Sequence, residues 1–155
     1  MRLLTISLFV ITICGGTAFA QTLELLPAGA SLTVQKEIIV PPYTDSVRVY
    51  ESQTYGRLPE SGERYEILEY FQMDIEPHDN TRRISPGTKF TVTKVENLSE
   101  EQLQRFLVFV DNPKVKQIDI YSFDGYEGAA TIMIEDVAPR FGGVFKVELP
   151  EIEEF

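Results

Sequence analysis

Apolar and polar residues alternate in short runs along most of this chain. Each run combines β-branched or aromatic residues with polar neighbours, which is typical of a strand with one buried face. The pattern therefore predicts a series of short β-strands. The clearest runs are 31–35, 47–50, 89–93, 117–121, 131–135 and 144–149.

Turn-forming residues separate these runs. Pro41-Pro42, Pro86-Gly87 and Asp124-Gly125 are examples, and each can reverse the chain between two strands. The strand–helix–strand units that a parallel sheet requires are missing from the pattern. We therefore expect an all-β, mainly antiparallel fold, either a β-sandwich or a small barrel of about seven to eight strands.

One segment has a helical pattern. Ser99 can cap a helix, and Gln102 stands three residues later, where it can complete a capping box. The apolar residues that follow recur at helical spacing, at Leu103, Phe106, Leu107 and Val110. The segment predicts one short α-helix near 99–110, which Asn112-Pro113 ends. The competing interpretation is that 107–110 already belongs to a strand.

The N-terminus has the layout of a secretory signal peptide. Met1-Arg2 gives a positive start, 3–13 is mostly apolar, and Ala18-Phe19-Ala20 has the small residues of a cleavage site. The apolar run is shorter than the roughly 20 residues that a membrane-spanning helix needs. We expect cleavage after Ala20 and a secreted or periplasmic protein, with no transmembrane segment left after cleavage.

The expected organisation is a signal peptide at 1–20, a single β-rich domain at 21–150 and an acidic tail at 151–155. The only cysteine, Cys14, falls in the signal peptide, so the mature domain has no disulfide. Attachment of a lipid at Cys14 is the alternative, but that cleavage requires a small residue before the cysteine and Ile13 is large. The expected stability comes from packing and backbone hydrogen bonds.

Charge narrows the choice of partners. Removing Arg2 with the leader leaves 13 Lys and Arg residues against 24 Asp and Glu residues, a net charge of −11. A chain of this charge without a basic cluster repels phosphate groups, which argues against binding of nucleic acid or of an anionic membrane surface. The acids are scattered, and the simplest consequence of the charge is solubility.

The sequence offers no catalytic set. The mature chain has no cysteine, its one histidine is His78, and it contains neither a Gly-x-Ser-x-Gly elbow nor a glycine-rich phosphate loop. We therefore expect neither a cofactor nor an evident enzymatic activity.

The best candidate for a metal site is Asp74, Glu76 and His78. On an extended chain these three side chains point to one side, and carboxylates with an imidazole suit zinc or manganese. Extended neighbours lie about 7 Å apart, so a bend at Pro77 is needed to bring them together. The favoured alternative is a charged strand end that runs into a loop. The acidic segment 124–128 is better explained as a hairpin turn than as a calcium loop.

Tyrosines cluster in the first half of the mature chain, beside loops rich in Ser, Gly and Pro. Tyrosine at a loop edge is common in recognition surfaces, and the competing interpretation is the rim of a core. The candidate binding residues are Tyr43, Tyr50, Tyr55 and Tyr65.

These observations favour a secreted or periplasmic binding module whose partner is a protein, a peptide or an envelope component. Two alternatives stay open. One is a metal-assisted hydrolase built on Asp74, Glu76 and His78. The other is a small barrel that holds an apolar ligand, which requires a continuous interior cavity.

Overall fold

The computed structural model describes residues 22–151 and shows a mostly antiparallel β protein with one short helix. The strands form because β-branched and aromatic residues dominate them. Helix α1, Val137–Arg140, lies in the segment between the last two strands. The strands are β1 Ser31–Val34, β2 Ile38–Val40, β3 Ser46–Arg57, β4 Arg64–Ile75, β5 Arg82–Ile84, β6 Lys89–Asn97, β7 Leu103–Asp111, β8 Val115–Asp124 and β9 Phe145–Glu148.

Seven strands form one curled sheet that resembles half of a barrel, in the order β3-β4-β8-β7-β6-β1-β9. Every neighbouring pair is antiparallel, as the short connections predict. Strands β2 and β5 pair separately as a two-stranded sheet. The structure thus confirms the expected all-β, mainly antiparallel fold class, with a main sheet that curls like half of a barrel and a second sheet of two strands.

The core lies against one face of the curled sheet. Residues Phe71, Met73 and Ile75 of β4 point to it, together with Ile118 and Ile120 of β8. The covering layer comes from the 3₁₀ turn Leu23–Leu25, from the segment that contains α1 and from β2. Because side chains alternate along a strand, Tyr70, Gln72 and Asp74 stand on the opposite side, which we call the solvent face.

The predicted helix near 99–110 is wrong, because this segment forms the loop 98–102 and strand β7. Phe106, Val108 and Val110 enter the core from one face of β7. Ser99, expected as a helix cap, instead accepts a hydrogen bond on its Oγ from the backbone N–H of Arg105, at 3.1 Å. The capping residue therefore stabilises the turn between β6 and β7.

Most of the predicted alternating runs form strands in the structure. Five of the six runs lie on strands, while 131–135 does not: Met133 forms an isolated bridge with Thr22, and a 3₁₀ turn begins at Ile134. None of the predicted runs lies on strand β4, since 67–71 is largely apolar on both faces and lacks alternation.

The expected signal peptide lies outside the described residues, as does nearly all of the expected acidic tail. Among residues 22–151, no helix has the length and apolar character needed to cross a membrane.

Candidate functional site

The four candidate tyrosines do not share one surface. Tyr43 precedes β3, whereas Tyr55 stands near the far end of that strand. With a rise of about 3.3 Å per residue, Tyr55 lies about 30 Å from the start of β3. Tyr43 is highly exposed, at 78%, and it is the one residue other than glycine among 22–151 with a positive φ, at 59°. The four tyrosines therefore do not form one binding surface.

Tyr50 belongs to the core rim. Its ring lies edge-on to Phe71 at 6.4 Å and to Phe141 at 5.5 Å between ring centroids. A β-bulge between Arg48 and Tyr50 rotates Tyr50 onto the core side of β3. Tyr50 thus has the structural role that the competing interpretation assigned to tyrosines.

Tyr55 and Tyr65 lie near each other along the β3–β4 hairpin but on opposite faces. Tyr55 pairs with Glu66 and stands on the solvent face, where it is 53% exposed. The guanidinium of Arg64 lies 4.4 Å from the centroid of the Tyr55 ring. Arg64 of the same chain therefore covers one face of the Tyr55 ring.

Tyr65 faces the other way and lies over Gly56, its cross-strand partner. A Cβ atom at Gly56 would stand only 2.0 Å from the Tyr65 ring, so the ring occupies the space that glycine leaves open. Tyr65 also contacts Tyr126, with 5.3 Å between ring centroids. The sequence analysis missed Tyr126, which is 44% exposed.

The turn after β8 holds Tyr126 in place. One carboxylate oxygen of Asp124 accepts hydrogen bonds from the backbone N–H groups of Tyr126 and Glu127, at 2.9 and 3.0 Å. The backbone N–H of Gly125 donates to the carbonyl oxygen of Glu66 on β4, at 2.9 Å. A turn is thus present here, but it is not the expected hairpin turn, because the next strand, β9, pairs with β1 and not with β8. The turn places the Tyr126 side chain at the end of the β3–β4 hairpin.

A small surface hollow of about 230 Å³ lies beside Tyr126. Its other walls come from the loop that joins β3 to β4. That loop is closed by backbone hydrogen bonds between Leu58 and Glu63, at 2.8 Å, and between Gly62 and Leu58, at 2.9 Å. We call Tyr65, Tyr126 and the hollow the hairpin-end patch. The residues lining the hollow are Leu58, Pro59, Glu60, Ser61 and Tyr126.

The hairpin-end patch is aromatic and acidic. Partial desolvation, followed by the negative charges of Asp124 and Glu127, raises the pKa of the Tyr65 phenol above 10. Glu60 adds a further carboxylate at the hollow. Such a surface favours a partner that brings positive charge.

The structure does not bring Asp74, Glu76 and His78 together as metal ligands. Asp74 accepts a hydrogen bond from Gln117 at 2.7 Å, and Glu76 pairs with Lys116 at 2.9 Å. Strand β4 ends at Ile75, so the extended face that the spacing assumed is lost. Among residues 22–151, no group of three His, Cys, Asp or Glu side chains is arranged to hold a metal ion.

His78 is packed inside the loop that follows β4. Both ring nitrogens are buried and have no hydrogen-bond partner within the described part of the chain. The backbone carbonyl of His78 accepts a hydrogen bond from the N–H of Tyr43, at 2.8 Å. His78 thus connects two loops at the end of the sheet away from the hairpin-end patch.

An open groove of about 430 Å³ lies near Asp74. Lys116 and Gln72 also line it, but Lys116 is paired with Glu76 and the Asp74 carboxylate is held by Gln117. Asp45 and Ser46 line the groove as well, so its walls are largely polar and only some of these groups are paired with one another.

The core gives no support to an enclosed apolar ligand. Side chains with almost no exposure fill the space between the sheet and its covering layer, among them Phe71, Phe90, Phe106, Phe141 and Phe145. The hollows described above open at the surface of the protein.

A comparison of this chain with known protein families, curated proteins and solved structures finds no significant match. The fold places the chain in the class of mainly antiparallel β proteins. Its function must therefore be argued from its own surface.

Proposed function

We propose that this chain is an exported binding module that contacts its partner through the hairpin-end patch. The observation that carries the proposal is the contact of Tyr65 with Tyr126, 5.3 Å apart between centroids, beside a hollow at the end of a long hairpin. Export is inferred from the leader pattern of the sequence.

Rigid aromatic side chains suit recognition because they bring large contact area at little cost in conformational entropy. The Asp124 turn fixes Tyr126, and Gly56 gives Tyr65 a flat support. The patch is therefore organised before a partner arrives, which reduces the ordering cost of binding.

The partner we propose is a protein or peptide segment that presents a basic side chain. The hollow, at about 230 Å³, is smaller than the roughly 300–1,000 Å³ typical of drug-sized ligand sites, but it can take one protein side chain. The aromatic rings attract a cation through their faces, and Asp124, Glu127 and Glu60 add attraction to positive charge.

A comparison of two tyrosine variants tests the proposal. Wild-type protein, Tyr126→Ser and Tyr43→Ser would each be immobilised and exposed to the exported fraction of the source cells, and the bound proteins would be identified by mass spectrometry. Tyr43 is the matched control because it is even more exposed and stands beyond the opposite end of β3.

We expect a partner that binds wild type and Tyr43→Ser but is lost with Tyr126→Ser, and whose binding weakens as salt is raised. Circular dichroism should show that all three proteins are folded alike. Equal capture by all three variants, or capture lost only with Tyr43→Ser, would refute binding through the hairpin-end patch.

A further inference from the structure

Strand β3 forms one edge of the curled sheet and is unusually open. It has 12 residues and pairs with β4 on one side only; within residues 22–151 no strand pairs with its other side. Gln53, Thr54 and Tyr55 are all exposed, so both faces of this part of the edge are accessible. Unpaired N–H and C=O groups on such an edge form a template for another strand.

The opposite edge of the sheet differs. Strand β9 has only four residues, which is the usual way of limiting edge-to-edge pairing. On β3, the bulge lies near the beginning, between Arg48 and Tyr50, and the regular part extends from Tyr50 to Arg57. The free edge is therefore long and regular in its second half.

Charges on this regular half are self-complementary. Glu51 and Arg57 both lie on the solvent face, and each stands three residues from Thr54. If two copies of β3 pair in an antiparallel manner across a two-fold axis at Thr54, Glu51 of each copy stands opposite Arg57 of the other. Opposite charges directly across a strand pair stabilise the pairing, and like charges oppose it.

The residues between Glu51 and Arg57 are also compatible with the antiparallel register centred on Thr54. Gln53 of one copy stands opposite Tyr55 of the other on the solvent face, and Ser52 stands opposite Gly56 on the core side. On the core side the facing residues Ser52 and Gly56 are both small, and the Tyr65 ring of the same chain lies over Gly56. A two-fold interface of this kind uses the same surface twice, which is the commonest arrangement of homodimers.

We propose that β3 is a self-association edge on which a second copy of this chain docks antiparallel, with Glu51 and Arg57 as the reciprocal ion pairs. Pairing of one strand edge buries less surface than a standard stable interface. The expected behaviour is thus a concentration-dependent equilibrium between monomer and dimer. The inference does not depend on the hairpin-end patch.

Charge reversal tests the register as well as the dimer. Sedimentation equilibrium of the exported protein, from micromolar to millimolar concentration, should show dimer formation by wild type. Glu51→Lys places a lysine opposite Arg57 of the other copy, and Arg57→Glu places a glutamate opposite Glu51. Each variant alone should therefore dimerise about tenfold more weakly.

A mixture of the two variants supplies the control. The introduced lysine of one chain then meets the introduced glutamate of the other, and the unchanged Arg57 meets the unchanged Glu51, so heterodimers should form about as tightly as the wild-type dimer. Each reversal also disturbs a contact within its own chain, namely that of Glu51 with Arg48 or that of Arg57 with the carbonyl of Gly62. These intrachain contacts are lost in the mixture as well. Dimer affinity that returns to the wild-type value in the mixture therefore reports the contact between the two chains.

Three results would overturn the proposal: a wild-type monomer across the whole concentration range, a dimer that neither reversal weakens, or a mixture that does not recover. A wild-type monomer would leave the β3 edge free for an extended peptide of another protein.

Discussion

Arg105 and Asp119 form a bidentate ion pair on the solvent face of the sheet. Arg105 on β7 donates from Nε and Nη2 to the carboxylate of Asp119 on β8, at 2.8–3.2 Å. The Asp119 side chain is only 6% exposed, whereas the Arg105 side chain is 38% exposed. The carboxylate thus depends on the arginine more than the arginine depends on the carboxylate.

This asymmetry predicts unequal effects of the two substitutions on stability. Arg105→Met leaves a buried carboxylate unpaired and should lower the free energy of unfolding by about 2–3 kcal/mol. Asp119→Ala leaves an arginine that can turn to water and should cost less, while the double variant Arg105→Met/Asp119→Leu should recover most of the loss. Urea unfolding measures all three, and equal losses from the two single variants would contradict the prediction.

Strand β7 shows why the fold class was predictable while one element was not. Its solvent face carries Leu103, Leu107 and Phe109 where a simple alternating strand has polar residues. Apolar residues on both faces remove the period-two signal and leave a spacing that also suits a helix. Strand β4 is absent from the predicted runs for the same reason.

The candidate site was predictable only in part. Tyrosine content and turn residues pointed to Tyr65 and to the 124–128 turn, but as separate features. Their proximity depends on the contact of Gly125 with Glu66, between residues distant in sequence. The one local signal was Gly56, because a glycine within a strand leaves space for a large side chain on the neighbouring strand, here that of Tyr65.

Substitution of Phe141 tests whether the segment after α1 belongs to the core. Its ring stacks on Phe71 with 4.0 Å between centroids, and the residue is fully buried. Phe141→Ala should therefore lower the free energy of unfolding by about 3–5 kcal/mol, because it removes these contacts and leaves a cavity. The exposed Leu98→Ala is the control and should change it by less than about 0.5 kcal/mol. Similar effects of both in urea unfolding would show that the segment does not belong to the core.

The lowered pKa of Glu148 predicts how the stability of the protein depends on pH. Hydrogen bonds and charge attraction from Lys146 and Lys89 lower its pKa from 4.5 to about 2. Since the folded pKa is depressed, the stabilisation is present above pH 4.5 and disappears as the pH falls to about 2. Wild type should be more stable than Glu148→Gln at about pH 6, and the difference should shrink across this interval. A difference that stays constant from about pH 6 to about pH 2 in chemical unfolding would argue against these contacts.

Chelator and zinc should leave the thermal midpoint of the protein unchanged. Gln117 and Lys116 hold the Asp74 and Glu76 carboxylates in separate contacts, and within residues 22–151 no three such side chains are arranged around a metal position. Scanning calorimetry with EDTA and with added zinc makes the comparison. A midpoint that rises with zinc in wild type, but not in His78→Phe, would contradict this expectation and support the metal-site hypothesis.

Site-specific photocrosslinking in the producing cells tests the proposed function most directly. A photoreactive phenylalanine derivative would replace Tyr126 in one strain and Tyr43 in another. We expect a crosslinked partner from position 126 and none of that partner from position 43. A partner crosslinked equally from both positions, or only from position 43, would contradict binding at the hairpin-end patch.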